Sequence, residues 1–315
     1  MIKWGIVGAG YIAKRFVKGL SEEKDSCLYA IACRKAEKLE AFKEYASFER
    51  GYLSYEDLLN DPNVDAVYIS LPNELHYEWV IKALKHKKAV LCEKPATVNA
   101  EEIEKICACA KENNAFFMEA MKSRFIPMYR YLKTIINSDY IGKIKSVDVS
   151  FCIDLKDIHL PNLYNPIGGG CLLDTGIYAV AFIQDFLGDD YKVDNVEYRT
   201  IDDVLSYTKA ALSYKDIKAY VECAFDCATS KQGVIVGELG TIVVDNFYRP
   251  QTIDITYNTG VKITKTLEQD FDDFYPEIAE VSRCIELNKL ESNLMPHNDS
   301  IACAKMIENI NKKFS

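Results

Sequence analysis

The sequence predicts an α/β chain in which a doubly wound parallel sheet is followed by an α+β domain with a large, mainly antiparallel open sheet. Three observations carry this expectation. An apolar run, Ile2 to Val7, ends in a glycine turn, Gly8-Ala9-Gly10-Tyr11-Ile12-Ala13, and passes into a helical pattern that reaches Leu20. Short apolar runs then alternate with helical periodicity as far as Lys122, the pattern of parallel strands joined by crossover helices. From Ile144 the period becomes two, as in Ile144-Lys145-Ser146-Val147-Asp148-Val149-Ser150-Phe151, which belongs to antiparallel strands with one solvated face.

The glycine turn has the form of a Rossmann dinucleotide-binding strand, turn and helix. Gly8 permits the tight turn, Gly10 leaves no Cβ in the way of a pyrophosphate, and Ala13 keeps the helix close to the sheet. The helix N-terminus favours phosphate charge, and Tyr11 and Ile12 offer backbone amides there. Taken alone the string also reads as a plain glycine turn. The alternation that follows makes that reading poor: Cys27 to Ala32, Lys35 to Ala46, Asp65 to Ser70, Glu74 to His86, Ala89 to Cys92, Glu101 to Glu112 and Ala115 to Met118. Asn99 is placed to cap the helix that opens with Glu101-Glu102, and Asp61-Pro62 breaks the chain before the fourth strand.

A dinucleotide-binding domain over residues 1–122 and a substrate-binding and oligomerisation domain over 123–315 follow from these patterns. In the second, strands are expected at Tyr207 to Ser213, Ala219 to Asp226, Gly233 to Val236, Thr241 to Asp245 and Thr252 to Tyr257, with turns at Tyr214-Lys215-Asp216 and Asn258-Thr259-Gly260. Helices are expected at Pro127 to Asn137, Asp174 to Phe186, Phe271 to Leu287 and Asn298 to Lys312.

A net charge of −9 with no basic cluster argues against nucleic acid or an anionic membrane surface as partner and points to a small ligand. No stretch approaches the roughly 18 uninterrupted apolar residues of a membrane span, and Met1-Ile2-Lys3 leads directly into the first strand. A cytoplasmic protein is therefore expected. Eleven cysteines, scattered through apparent strands and helices, read as small core residues in a reducing compartment. Cys107-x-Cys109 and Cys223-x3-Cys227 lack histidines or a second pair at ligand spacing, so no metal site is expected.

The second cofactor signal concerns which nicotinamide is bound. An NAD site commonly closes its second strand with an Asp or Glu for the ribose 2′-hydroxyl. Between Cys27 and Ala36 this chain has none, and the strand ends in Ala32-Cys33-Arg34-Lys35. Positive charge there suits a 2′-phosphate, which a guanidinium can hold bidentately. NADP is the expected cofactor, with NAD left open. In the competing reading, Arg34 and Lys35 only open the next helix on a solvated face.

Two later segments lie at carboxyl ends of expected strands, the rim where open α/β sheets bind ligands: Leu71-Pro72-Asn73-Glu74-Leu75-His76 and Cys92-Glu93-Lys94-Pro95. Together with Gly168-Gly169-Gly170-Cys171-Leu172-Leu173-Asp174-Thr175-Gly176-Ile177-Tyr178, they make the chain resemble the glucose-fructose oxidoreductase, inositol dehydrogenase and MocA family over nearly its whole length. The Glu119 to Pro127 segment, and tyrosine rather than histidine at position 178, look most like its dimeric dihydrodiol dehydrogenase and NADP-dependent D-xylose dehydrogenase branch. Lys122 departs from that branch, which often carries an aromatic residue there as part of the apolar wall of the pocket.

The resemblance implies a hydride transfer between nicotinamide and a secondary alcohol or carbonyl of a sugar, polyol or trans-diol. It implies Tyr178 as the proton-transfer residue, Lys94 as its partner and a hydrogen bond to the substrate oxygen, and Asp174 as an acceptor for a second hydroxyl. A free phenol titrates near 10, about three units above neutrality, and a nearby ammonium stabilises its ionised form. Asp174 and Tyr178 are four residues apart, so on a helix they share a face. Read without the family, Asp174 is a helix-terminal charge, Tyr178 a core tyrosine and Lys94 a surface lysine. His76 is expected to shape the nicotinamide side or to serve as a structural histidine, Asn73 and Glu93 to contact its ribose or fix the loop, Leu71 and Pro72 to belong to the cofactor site, with Pro72 and Pro95 setting loop geometry, and Arg124 to hold ligand or a domain interface. Two other readings stand beside this one: a non-catalytic dinucleotide-binding regulator, and a glycosidase-type member that recycles tightly bound NAD. A homodimer or homotetramer formed through the second-domain sheet is expected.

Overall fold

A computed structural model of the chain, describing residues 1–155 and 162–313, contains one sheet of six strands and one of eight. Contacts divide the chain into two units, the first made of Met1–Lys122 and Asp270–Ser300 and the second of Ser123–Gln269 and Ile301–Ser315.

The first unit alternates β1 (Ile2–Val7), α1 (Tyr11–Leu20), β2 (Ser26–Ala32), α2 (Ala36–Lys43), β3 (Arg50–Tyr52), α3 (Tyr55–Asn60), β4 (Ala66–Ile69), α4 (Asn73–Lys85), β5 (Ala89–Glu93), α5 (Ala100–Asn113) and β6 (Phe117–Ala120). Every neighbouring pair is parallel, in the order β3-β2-β1-β4-β5-β6. Ile6, Val7, Ile31, Val67, Tyr68, Ile69, Val90 and Leu91 are buried, as expected of strands covered on both faces. Asn99 caps α5 by accepting from the Glu102 N–H at 2.9 Å. The sequence pattern missed β3 and α3, because a three-residue strand with two exposed positions has no apolar run to detect.

The first unit does not close at Lys122. Asp270–Ser300, read from sequence as part of the second domain, returns to it. Within this return α8 (Tyr275–Glu286) packs on α1, and Gly19 makes that approach possible: a Cβ there would sit 2.8 Å from the Phe274 Cβ and from the Tyr275 nitrogen. Arg15 reaches Asp272 at 3.3 Å and Asp273 at 2.5 Å, and Lys18 reaches Asp272 at 3.1 Å. The Phe117 N–H of β6 donates to the Leu290 carbonyl at 3.0 Å.

The second unit contains α6 (Pro127–Asn137), β7 (Ile144–Cys152), α7 (Ile177–Leu187), β8 (Tyr191–Ile201), β9 (Val204–Tyr214), β10 (Ile217–Ala224), β11 (Gln232–Gly237), β12 (Gly240–Asp245), β13 (Thr252–Tyr257) and β14 (Lys262–Thr266). The sheet runs β14-β13-β12-β11-β7-β10-β9-β8, antiparallel throughout except for the parallel β7–β10 pair. β8 and β14 escape the period-two pattern because β8 buries little and all five residues of β14 are exposed. Helix α7 lies against β7 and β10, with Phe182 edge-on to Phe247 at 5.6 Å and to Tyr129 at 5.7 Å. The final helix, α9 (His297–Asn311), begins in the first unit and ends in the second. All eleven cysteines are free thiols. Among the described residues no helix is long and apolar enough to cross a membrane.

Candidate active site

The two glycines that open the first unit have different reasons to be glycine. Gly8 has φ +105°, and a Cβ there would stand 2.9 Å from the Ser70 carbonyl oxygen, so the fold itself excludes a side chain. The Ser70 hydroxyl also donates to the Gly8 carbonyl at 3.0 Å, joining the ends of β1 and β4. Gly10 is the N-cap of α1 in extended conformation, and a Cβ there would meet no protein atom within 4 Å. The space in front of Gly10 is open among the described residues. Tyr11 is 77% exposed at the first position of α1, Ile12 follows it, Ala13 is fully buried, and the first turn holds no acidic residue. An uncapped helix start with open space in front of it fits a pyrophosphate.

At the end of β2, Arg34 and Lys35 are both exposed. Lys35 is the N-cap of α2, as the competing reading of this pair has it, whereas Arg34 precedes the helix and its Cζ lies 5.9 Å from the Tyr55 ring centroid.

The rim loops after β4 and β5 are joined by one buried side chain. His76, fully buried on α4, places Nδ1 2.8 Å from the Pro95 carbonyl oxygen and Nε2 2.8 Å from that of Leu71. Burial pushes the imidazole pKa down, while the two carbonyls oppose that by favouring the form that donates from both nitrogens. Pro72 caps α4 and Asn73 is its first residue. Glu93, also buried, accepts a short hydrogen bond from the Tyr68 hydroxyl and another from the Lys94 N–H at 3.2 Å. Its burial raises its pKa, opposed by Tyr68, Lys94 and Lys122. Glu119 accepts from the Ala96 N–H at 2.9 Å, and so fixes the far side of the Glu93-Lys94-Pro95 loop. Lys94 itself is half-buried.

Two residues of this rim were not singled out from sequence, Tyr68 and Glu277, and Glu119 entered only as the start of the Glu119 to Pro127 segment. Tyr68 lies inside an apolar strand and Glu277 arrives on α8 from the far end of the chain, so neither has a local signal. Glu277 is fully buried, and neither of its carboxyl oxygens has a hydrogen-bond partner among the described residues. Burial first, then the charge of Glu93, raises its pKa well above the usual carboxylate range. Lys122 is accounted for: its Nζ pairs with Asp273 at 2.7 Å and stands 4.7 Å from the Phe274 ring centroid.

In the second unit, the glycine run turns the chain into α7. A Cβ at Gly169 would fall 2.5 Å from the Leu163 carbonyl oxygen, and Gly170 has φ +96°. Sequence periodicity predicts an α-helix from Asp174, but Leu172–Gly176 is a π turn and α7 proper begins at Ile177. A π turn takes more residues than the 3.6 of an α turn, so the four-residue step from Asp174 to Tyr178 falls near one full turn and keeps the two on neighbouring faces. Gly176 brings this segment onto the sheet, since a Cβ there would meet the Cys223 sulfur at 2.8 Å. Tyr178 is 8% exposed, with the rings of Phe151 and Tyr248 each 5.9 Å away and stacked on one another at 4.4 Å. Arg124 is 2% exposed in this unit and donates to the Ala181 carbonyl at 3.1 Å and to Gln184 at 2.6 Å, which ties it to α7. Lys94 thus belongs to the first unit and Asp174, Tyr178 and Arg124 to the second. Among the described residues no cluster of His, Cys, Asp or Glu is arranged to hold a metal ion.

A family model described as an oxidoreductase family with an NAD-binding Rossmann fold matches residues 2–121, and one described as a GFO/IDH/MocA C-terminal domain matches residues 129–243. The chain is 33% identical over 239 residues to the trans-1,2-dihydrobenzene-1,2-diol dehydrogenase of Sus scrofa, spanning 73% of this chain and 69% of that protein. The chain belongs to the GFO/IDH/MocA oxidoreductase family. Another member, the scyllo-inositol 2-dehydrogenase (NADP(+)) of Bacillus subtilis, is 29% identical over 320 residues, covering 99% of this chain and 97% of its own. Among solved family structures, the 3-ketoreductase KijD10 of Actinomadura kijaniata in complex with NADP and TDP-benzene superposes with a TM-score of 0.89 at 26% identity, covering 99% of this chain and 97% of that one. As a member of the family, this protein is an NAD(P)-dependent oxidoreductase acting on CH–OH groups, and NADP fits it.

Proposed function

We propose that the protein transfers a hydride between NADP and a secondary alcohol, or its carbonyl, in a sugar, polyol or trans-diol, with Tyr178 as acid/base and Lys94 as its electrostatic partner. The observation that carries this reading is the presence of Lys94 in a loop fixed by Glu93, His76 and Glu119, together with Asp174 and Tyr178 in the glycine-run motif. The names of the family members above, which act on a diol, an inositol and a keto group, support the substrate class.

The nicotinamide, when bound, supplies or accepts the hydride. The chain's residues provide the rest. Gly8, Gly10, Tyr11 and Ile12 receive the pyrophosphate, Arg34 pairs with the 2′-phosphate, and Leu71, Pro72, Asn73, His76 and Glu93 shape the ribose and nicotinamide side. Lys35, as a helix N-cap, is the weaker phosphate partner, and Arg124, tied to α7, serves by holding the helix that carries Tyr178. In the reductive direction Tyr178 gives its proton to the oxygen as charge develops there, and the Lys94 ammonium stabilises both that charge and the tyrosinate left behind. Asp174 accepts a hydrogen bond from a second hydroxyl and so orients the carbon that reacts.

Tyr178→Phe tests this reading. Turnover on a panel of sugars, polyols and diols, followed by the absorbance of reduced nicotinamide, is expected to fall about 10²- to 10⁴-fold while NADP affinity stays within about twofold. Full activity in the variant would refute the role. Arg34→Ala is expected to cost NADP affinity and leave NAD affinity unchanged. Turnover with added cofactor argues against a non-catalytic regulator, and release of nucleotide during purification argues against a glycosidase-type cycle. A dimer or tetramer through the second-unit sheet and a cytoplasmic location belong to the same proposal, and the first is read from light scattering of the purified protein.

A further inference from the structure

If Arg34 selects NADP, something must hold an exposed guanidinium where a phosphate can find it. The structure offers Tyr55. Its ring centroid lies 5.9 Å from the Arg34 Cζ, within the roughly 6 Å over which an aromatic face attracts a cation. The ring itself cannot drift. Tyr55 is 7% exposed, and it meets the Trp79 ring edge-on at 4.9 Å and 84°, so the three side chains form a file running from α4 through α3 to the end of β2. The short helix that Tyr55 opens is pinned by Ser54, which accepts from the Asp57 N–H at 3.3 Å. Burial pushes the Tyr55 phenol up, and the charge and hydrogen bonding of Arg34 oppose it, so the two side chains sense one another.

We infer that Tyr55 is a positioning residue for cofactor choice: its ring, backed by Trp79, is the platform that presents the Arg34 guanidinium to the adenosine 2′-phosphate. This rests on the reading of Arg34 given above. A guanidinium held beside a fixed aromatic ring has fewer orientations to lose when it engages a phosphate through its planar fork. Because the platform acts on the cofactor only through the arginine, its loss weakens the ligand that carries a 2′-phosphate and leaves the one that lacks it alone.

Calorimetric affinities for NADP and NAD, measured on the full chain, test this with three variants. Tyr55→Leu is expected to lower the NADP-to-NAD affinity ratio by about three- to tenfold, in keeping with the worth of one cation–π contact and the order it imposes. Tyr55→Phe keeps the ring but drops the hydroxyl that hydrogen-bonds Arg34, and is expected to lower the ratio by less than Tyr55→Leu does. In an Arg34→Ala background, Tyr55→Leu is expected to change the ratio no further. A ratio unmoved by Tyr55→Leu, an equal loss for both cofactors, or a loss in Tyr55→Phe as large as that in Tyr55→Leu would overturn the platform. If Arg34→Ala alone leaves the ratio unchanged, it is the reading of Arg34 that fails; if Arg34→Ala moves it and Tyr55→Leu does not, only the role of Tyr55 falls.

Discussion

The two functional regions are built from different materials. The rim of the first unit presents backbone held in place by buried polar side chains: a left-handed Gly8 against the Ser70 carbonyl, open space over Gly10, two loop carbonyls joined through His76, and a third loop contact through Glu119. The segment that carries Asp174 and Tyr178 is positioned by side-chain packing, with Gly176 pressed against the Cys223 sulfur and Tyr178 set beside the Phe151–Tyr248 stack. A backbone site can be emptied of its ligand without harm to the fold, whereas a packed site loses stability and geometry together.

Four substitutions would break or sharpen that contrast. The largest effect is expected for Lys94→Met, which removes the ammonium but not the loop that holds it: turnover should fall about 10²- to 10⁴-fold, with thermal stability little changed. Next, Gly10→Ala should weaken NADP by about tenfold or more, or at least 1.4 kcal/mol, yet leave the unfolding midpoint where it was, since a Cβ there meets no protein atom within 4 Å. A large drop in stability for this variant would show that the turn is closed by the protein and not kept open for a ligand.

Gly176→Ala should do the opposite. Its methyl group would stand 2.8 Å from the Cys223 sulfur, and overpacking of this kind costs about 1–3 kcal/mol, visible as a lower melting temperature together with reduced turnover. An intact melting temperature would mean that the π turn can slide over the sheet.

The smallest effect concerns Glu277, whose raised pKa comes from burial and from Glu93 and Asp273, with Lys122 opposing. The folded chain then keeps a proton that the unfolded chain loses above about pH 4.3, so this group makes stability fall as pH rises toward its folded value. Glu277→Gln removes that slope. The variant's melting temperature should match wild type near pH 4.5 and gain on it by about 1.5 °C per kcal/mol toward pH 8. A difference constant across that range would show the carboxyl to be ionised in the fold.

Local signals were legible and distant ones were not. The loops at Leu71-Pro72-Asn73 and Glu93-Lys94-Pro95 stood out through the family resemblance, whereas the glycine turn and the Asn99 cap could be read directly, because each depends on a few consecutive residues. Arg34 was visible for the same reason, as a cation where an acid was missing. Tyr55 was not, since what makes it matter is a ring contact with Arg34 across 21 positions that no periodicity encodes. The π turn also escaped: Asp174 and Tyr178 fit an α pattern, and the close approach of Gly176 to the Cys223 sulfur of β10 is a contact that no local periodicity records. β8 and β14 were lost because exposed strands carry no buried stripe.

The return of Asp270–Ser300 to the first unit has a consequence for how the protein is made. Synthesis delivers β1 through β6 first, yet the partner of Gly19 and the acids that answer Arg15 and Lys18 arrive only after the whole eight-stranded sheet has been translated. Until then the flank of α1 that Phe274 will cover is bare. A fragment ending at Lys122 should therefore behave as a sticky, half-finished body, and the nucleotide-binding half matures last although it is written first.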